Sequence, residues 1–337
     1  MNGTKFDAVL SLISDELCQL ILTINFASIS PVLSLIGLGG HIINITVFVT
    51  QGFHDTVNIS LVALAVSEMG MQLNSLTVAI LNNPILLSSD ILIEPQEFET
   101  SVAGFPIASF SKTTSWITAY ITFERCLCVV APLRVKRLIT PKIVVFIMAS
   151  IYVMMFAALI PEYMTFYLDW KYFPDRNKTL IGIVPRKHSQ AARGITFTTN
   201  AFSEFLSFSL IILFTSILAA KLRQRSQWRV KTTPGAEISL KNIGKKDSKT
   251  IKMITAIAAI HILCFFPAII ALLISVNVPE FYIVGLYKNS FLIAFSFPNL
   301  FEGVNSSISV FLYYRMSAKY RRTINNVFLK RKTKQKI

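Results

Sequence analysis

Charge is scarce in this chain: only 15% of its 337 residues are Asp, Glu, Lys or Arg, against about a quarter in an ordinary soluble domain. Cysteine is scarce too. Cys18, Cys126, Cys128 and Cys264 are too few and too scattered for a disulfide framework or a zinc site. The four histidines (His41, His54, His188 and His261) fall at no metal-ligand spacing. No Gly-x-Ser-x-Gly, phosphate loop or pair of catalytic carboxylates is present, so an enzyme is not expected and no metal site is assigned. Acids are the rarer charge, 18 against 33 bases, giving a net charge of +15.

What the chain does have is long apolar stretches. It is 53% hydrophobic with a mean hydropathy of +0.56. A membrane helix needs roughly 20 mainly apolar residues to cross about 30 Å of hydrocarbon. Seven such stretches fall near 24–50, 58–82, 102–131, 142–165, 195–222, 250–276 and 286–314. The second and third are the weakest, being rich in Ser, Thr and Asn. Backbone groups in lipid must be satisfied internally, so spans of this length are helices. The fold class read here is an all-α membrane protein, a seven-helix transmembrane bundle.

The bases are unevenly placed. The loop after span 3, the 221–252 segment and the tail from Arg315 hold 24 of the 33, which puts that side in the cytoplasm. Residues 1–23 then form an extracellular tail, 24–314 the spanning domain and 315–337 a cytoplasmic tail. The sequons at Asn2 and Asn177 fall outside, where they could be glycosylated. Topology and contact with anionic membrane lipid account for the positive charge, so nucleic acid is not expected as a partner. The start lacks a basic n-region, and no cleavable signal is expected. In the tail, Met316, Tyr320, Ile324 and Val327 recur at helical spacing between bases, which predicts a short amphipathic eighth helix on the inner membrane face.

Several short motifs appear in a fixed order. Span 2 carries LAVSE (64–68), span 3 closes on Glu124-Arg125-Cys126 followed by Ala131-Pro132-Leu133, span 6 holds CFFP (264–267), and span 7 holds NSSISVFLYY (305–314). With seven spans and an amphipathic tail, the chain resembles the rhodopsin-like G-protein-coupled receptors over about residues 25–330. Glu68 stands for the family's Asp, Phe265 for its Trp, and Ser309-Val310 for its Asn-Pro, while Tyr313 is kept. Spans 2 and 3 look most like invertebrate peptide receptors and gastropod receptors proposed to be chemosensory. The resemblance implies a plasma-membrane receptor that takes an extracellular peptide or small-molecule ligand and activates a heterotrimeric G protein as span 6 moves outward. It also implies departures. The covalent tie usual at the top of span 3 would start near Thr100, and 166–193 contain no Cys, so looser outer loops are expected. Gly303 replaces the retinal-binding lysine of opsins, and Ile107 the Asp of amine receptors.

The residues carry three site expectations. Adjacent Glu124 and Arg125 can meet through their long side chains. Asp247, 18 residues before Phe265, lies about 27 Å down span 6, where the family's acidic lock residue sits. Arg125 is therefore expected to pair with Glu124 and Asp247 at rest and to move toward Tyr313 on activation; the plainer reading is snorkelling at an interface. By resemblance, Glu68 faces Thr114, Asn305 and Ser309 as a sodium site, or sits there as a neutral hydrogen-bonded group. Lys112, Glu204 and Glu302 lie at similar depth and suggest a partly polar ligand cavity floored by Phe265 and Phe266 beside Pro267, or a structural tie between helices. His261 is read as a packed core histidine. The rival to a receptor is a polytopic transporter or channel using the intramembrane Glu and Lys.

Overall fold

A computed structural model describes residues 13–87, 89–131, 135, 138–173, 177–186, 189–231, 238–278, 280–281 and 286–329. Asn2, Arg134, Lys136 and Arg137 lie outside the described residues, as does the side chain of Asp247. Seven long helices form the bundle: α1 (Asp15–Gln51), α2 (Thr56–Leu81), α3 (Phe105–Val130), α4 (Pro141–Met164), α5 (Ser189–Lys231), α6 (Ile238–Asn277) and α7 (Lys288–Met316). A short α8 (Ala318–Ile324) follows.

Local chemistry sets several of the boundaries. Side chains of Ser14, Asp55, Thr140 and Ser317 accept the first free amides of α1, α2, α4 and α8, satisfying donors that a helix leaves unpaired. Gly52 ends α1 at φ +83°, a conformation costly for any residue with a Cβ. Because Ser14 caps it and Asp15 and Glu16 fill its first turn, α1 begins nine residues before the predicted span. Asn289 of α7 holds that extension by donating to Asp15 Oδ1 (2.8 Å) and Ile13 O (3.0 Å).

Among the described residues, five segments are apolar and long enough to cross a membrane by length and composition: Asp15–Gln51, Thr56–Leu81, Pro141–Met164, Gly194–Gln224 and Thr250–Asn277. The exceptions are α3 and α7, whereas the sequence reading expected α2 and α3 to be weakest. The reason is position. Helix α3 packs against α2, α4, α5 and α6, and α7 against α1, α2 and α6, so neighbouring helices cover much of their surface. The buried residues of α7 are mostly polar: Ser290, Ser296, Glu302, Asn305, Ser306, Ser307 and Ser309. Helix α4 is the opposite case, exposing Phe146, Val153 and Met154.

The largest apolar core lies toward the α8 end and joins seven of the eight helices. Phe48 of α1, Leu61 of α2, Ile121 of α3, Met148 of α4, Ile254 of α6, Tyr313 of α7 and Tyr320 of α8 all contribute. Tyr320 is fully buried, and Phe48, Tyr313 and Tyr320 meet with ring centroids 5.1–5.7 Å apart. The apolar stripe read in the tail thus docks into the bundle, with Met316 and Ile324 packed on the same core.

At the opposite end is an element the sequence reading did not include. Strands β1 (Phe166–Phe173) and β2 (Lys178–Pro185) form an antiparallel hairpin with Trp170 opposite Ile181. Both are rich in aromatic and β-branched residues, which suit a pleated surface, and Asn177 takes φ +49° at the turn. Ile181 also bridges in parallel to Ile93, so the α4–α5 loop, expected to be loose, carries a paired sheet over its described residues.

Candidate functional site

At the α8 end of α3, Arg125 Nη2 donates to Glu124 Oε1 at 2.7 Å. Both side chains are largely buried, 14% and 1% exposed. Thr56 at the start of α2 donates to the same carboxylate oxygen at 2.5 Å. Glu124 Oε2 and Arg125 Nε have no hydrogen-bond partner among the described residues. Asp247 lies within α6.

Deeper in the bundle, Glu68 accepts from Asn305 Nδ2 at 3.3 Å and lies 3.6 Å from His41 Nδ1. His41 in turn meets Ser306 Oγ at 2.5 Å. The other expected neighbours turn elsewhere. Thr114 donates to Ser67 (3.0 Å), and Ser309 accepts from Asn44 (3.1 Å) while donating to Ser306 O (2.9 Å). A hard cation wants converging oxygens, yet here an amide N–H and an imidazole face the carboxylate. This donor set does not fit a sodium ion.

Toward the hairpin end, a polar cluster joins α3, α4, α5, α6 and α7. Lys112 Nζ donates to Asn200 Oδ1 (2.6 Å), and Asn200 Nδ2 donates to Glu162 Oε1 (2.8 Å). Ser111 donates to Glu302 (2.8 Å), and Ser115 to Glu204 (3.4 Å). His261 Nε2 lies 3.3 Å from Ser115 Oγ, and its ring stacks on Phe265 with centroids 3.9 Å apart. Lys112, Glu204 and Glu302 therefore each bond to a neighbour from another helix, in separate sets that all involve the 111–115 stretch of α3, with Lys112 held by an amide. Phe265 is buried at its edge. Phe266 is 54% exposed, which corrects its expected place in the floor: next to Phe265 on a helix it points about 100° away, out of the bundle. A surface depression of about 400 Å³ is lined by Gly194, Ile195, Thr198 and Thr199, none of them in this cluster.

The family model for the 7 transmembrane receptor (rhodopsin family) matches residues 40–313. The chain belongs to that family. No curated protein matches it. It is thus a multi-pass membrane protein of a signalling-receptor family whose members are receptors, not enzymes.

In this receptor the side chains that sequence reasoning missed are, Glu162 apart, the neutral partners rather than the charges. Thr56, His41, Asn44, Asn200, Glu162, Ser111 and Ser115 each complete a contact, and each comes from a different helix than the group it meets. For Glu162 a signal existed, since it is an acid near the end of an apolar span. Ser111 and Ser115 flank Lys112 with helical spacing from one another, a pattern that could have marked them.

Proposed function

We propose that this family member is a plasma-membrane receptor with its N-terminus outside, which takes a peptide or small chemosensory ligand in the polar cluster of α3–α7. The Arg125–Glu124 pair is its resting latch, completed by Asp247, and α6 moves outward to release Arg125 toward Tyr313 and a heterotrimeric G protein. The observation that carries this reading is the buried Arg125–Glu124 contact at 2.7 Å. A charge in a bilayer costs from about 2.5 to over 10 kcal/mol, so a pair held there with two unpartnered polar atoms suits an element with more than one arrangement. The Lys112 group supports the other half, because a largely buried ammonium facing the α5 amide of Asn200 is poised to bind a polar ligand group.

The test is a screen of peptides, amino acids and food odorants against cells bearing the receptor and a promiscuous G-protein reporter. Once a ligand responds, Lys112→Gln is expected to shift its potency at least tenfold. An unchanged dose–response curve would reassign Lys112 to a tie between helices. Current evoked by ligand in cells lacking G protein would instead point to a channel.

A further inference from the structure

The hairpin is not attached to the rest of the receptor through a covalent tie. Cys18, Cys126, Cys128 and Cys264 are all free, and none lies in the hairpin. Yet β2 is bound on its second edge. Glu94 N donates to Ile181 O (2.9 Å), and Ile181 N donates to Leu92 O (2.8 Å). Glu97 then reaches across to the hairpin with both carboxylate oxygens. Oε2 accepts the Ile183 amide at 2.6 Å, and Oε1 accepts Lys171 Nζ at 2.7 Å. One side chain thus holds both strands.

The approach is possible because residue 182 is glycine. A Cβ there would sit 2.5 Å from Glu97 Oε2 and 2.8 Å from Phe173 Cζ, closer than real Cβ atoms come. Lys171 is oriented further by the Phe173 ring, 4.9 Å away. A second ion pair, Lys178–Asp90 at 2.5 Å, lies further out with side chains 52% and 88% exposed. Lys178 holds the Asp90 carboxyl below the usual carboxylate range through that hydrogen bond. A pair so exposed contributes little to holding a fold. The Glu97 contacts are different, since one of them is to a part-buried backbone amide and a charged acceptor strengthens such a bond.

We propose that Glu97, seated in the gap left by Gly182, is a noncovalent staple that fixes the β1–β2 hairpin to the entry of α3, three residues before Thr100. It takes over the work of a covalent tie in a form that can open and reclose. The hairpin is then a strap, paired through its backbone at Ile181, whose closed fraction is raised by one carboxylate and lowered by salt chiefly through the Lys171 contact.

Hydrogen exchange on the full-length receptor in nanodiscs tests this without any ligand. Charged hydrogen bonds are worth enough that Glu97→Ala is expected to speed exchange of the β2 amides, Ile183 foremost, by roughly ten- to a hundredfold. Glu97→Gln, which keeps an acceptor for Ile183, is expected to give a smaller rise and to be insensitive to added salt. Gly182→Ala is expected to resemble Glu97→Ala, and Lys178→Gln to stay within about twofold of wild type. Wild-type exchange in 178–185 with Glu97→Ala would overturn the proposal. So would faster exchange spread evenly through α1–α8, which marks general loosening. Where the alanine variant is not recovered, Glu97→Gln compared with Lys171→Gln gives the same decision: no change in either overturns it.

Discussion

Tyr320→Phe removes one oxygen atom from the receptor and leaves the ring of α8 in its core. That oxygen donates to Asn44 Oδ1 at 2.5 Å, and Asn44 Nδ2 continues to Ser309 at 3.1 Å. Both Tyr320 and Asn44 are fully buried, so Asn44 Oδ1 has no solvent to turn to. Hydrogen bonds between membrane helices average about 0.6 kcal/mol and reach about 1.7, whereas a buried acceptor left unpaired costs about 1–3 kcal/mol. Dryness places this case in the overlap, at about 1–2 kcal/mol. At about 2–4 °C per kcal/mol, the apparent melting temperature of purified receptor is expected to fall by about 2–8 °C. The scan rate must be fixed, because membrane receptors unfold irreversibly and the midpoint moves with it. Tyr320→Ala also loses the ring packing on Phe48 and Tyr313 and is expected to fall at least twice as far, as aromatic truncations cost about 3–5 kcal/mol. If Tyr320→Phe melts with wild type while Tyr320→Ala does not, the ring alone docks α8 and the reasoning about the hydroxyl is refuted.

Two further outcomes are expected. Asp247→Ala should raise basal G-protein signalling over wild type at equal surface expression, and an unchanged baseline would remove Asp247 from the latch. Asn177→Gln should abolish any glycosidase-sensitive mobility shift that survives loss of Asn2, since Asn177 is exposed at the hairpin turn; a persistent shift would place glycan elsewhere.

Much of the architecture was readable because lipid imposes a simple rule on sequence. Apolar length located the spans, and the stripe of Met316, Tyr320 and Ile324 located α8. The α1 extension escaped because its signals, Ser14 and an acidic first turn, belong to helix capping rather than hydropathy. The hairpin escaped because its pairing joins residues with no helical period between segments already read as loop. At the sites, the charges Glu124, Arg125, Glu68, Lys112, Glu204 and Glu302 stood out since each is costly in a bilayer. Their partners did not, because a Ser or Thr within a span costs little and carries no mark of which helix it faces. His41 beside Glu68 is the clearest case: helix period places it on a face of α1 but cannot say that α2 presents a carboxylate there.

The polarity of α3 bears on how the receptor is made. Lys112, Glu124 and Arg125 lie on a helix that is not apolar enough by composition to cross a membrane alone, and Lys or Arg at a helix centre adds about 2.5–3.5 kcal/mol to insertion. Helix α3 is therefore expected to enter the bilayer more readily in company, its polar groups met by α2 before it or by α4 and α5 after it. A substitution there can abolish surface receptor at the ribosome-bound stage while leaving the finished fold no less stable.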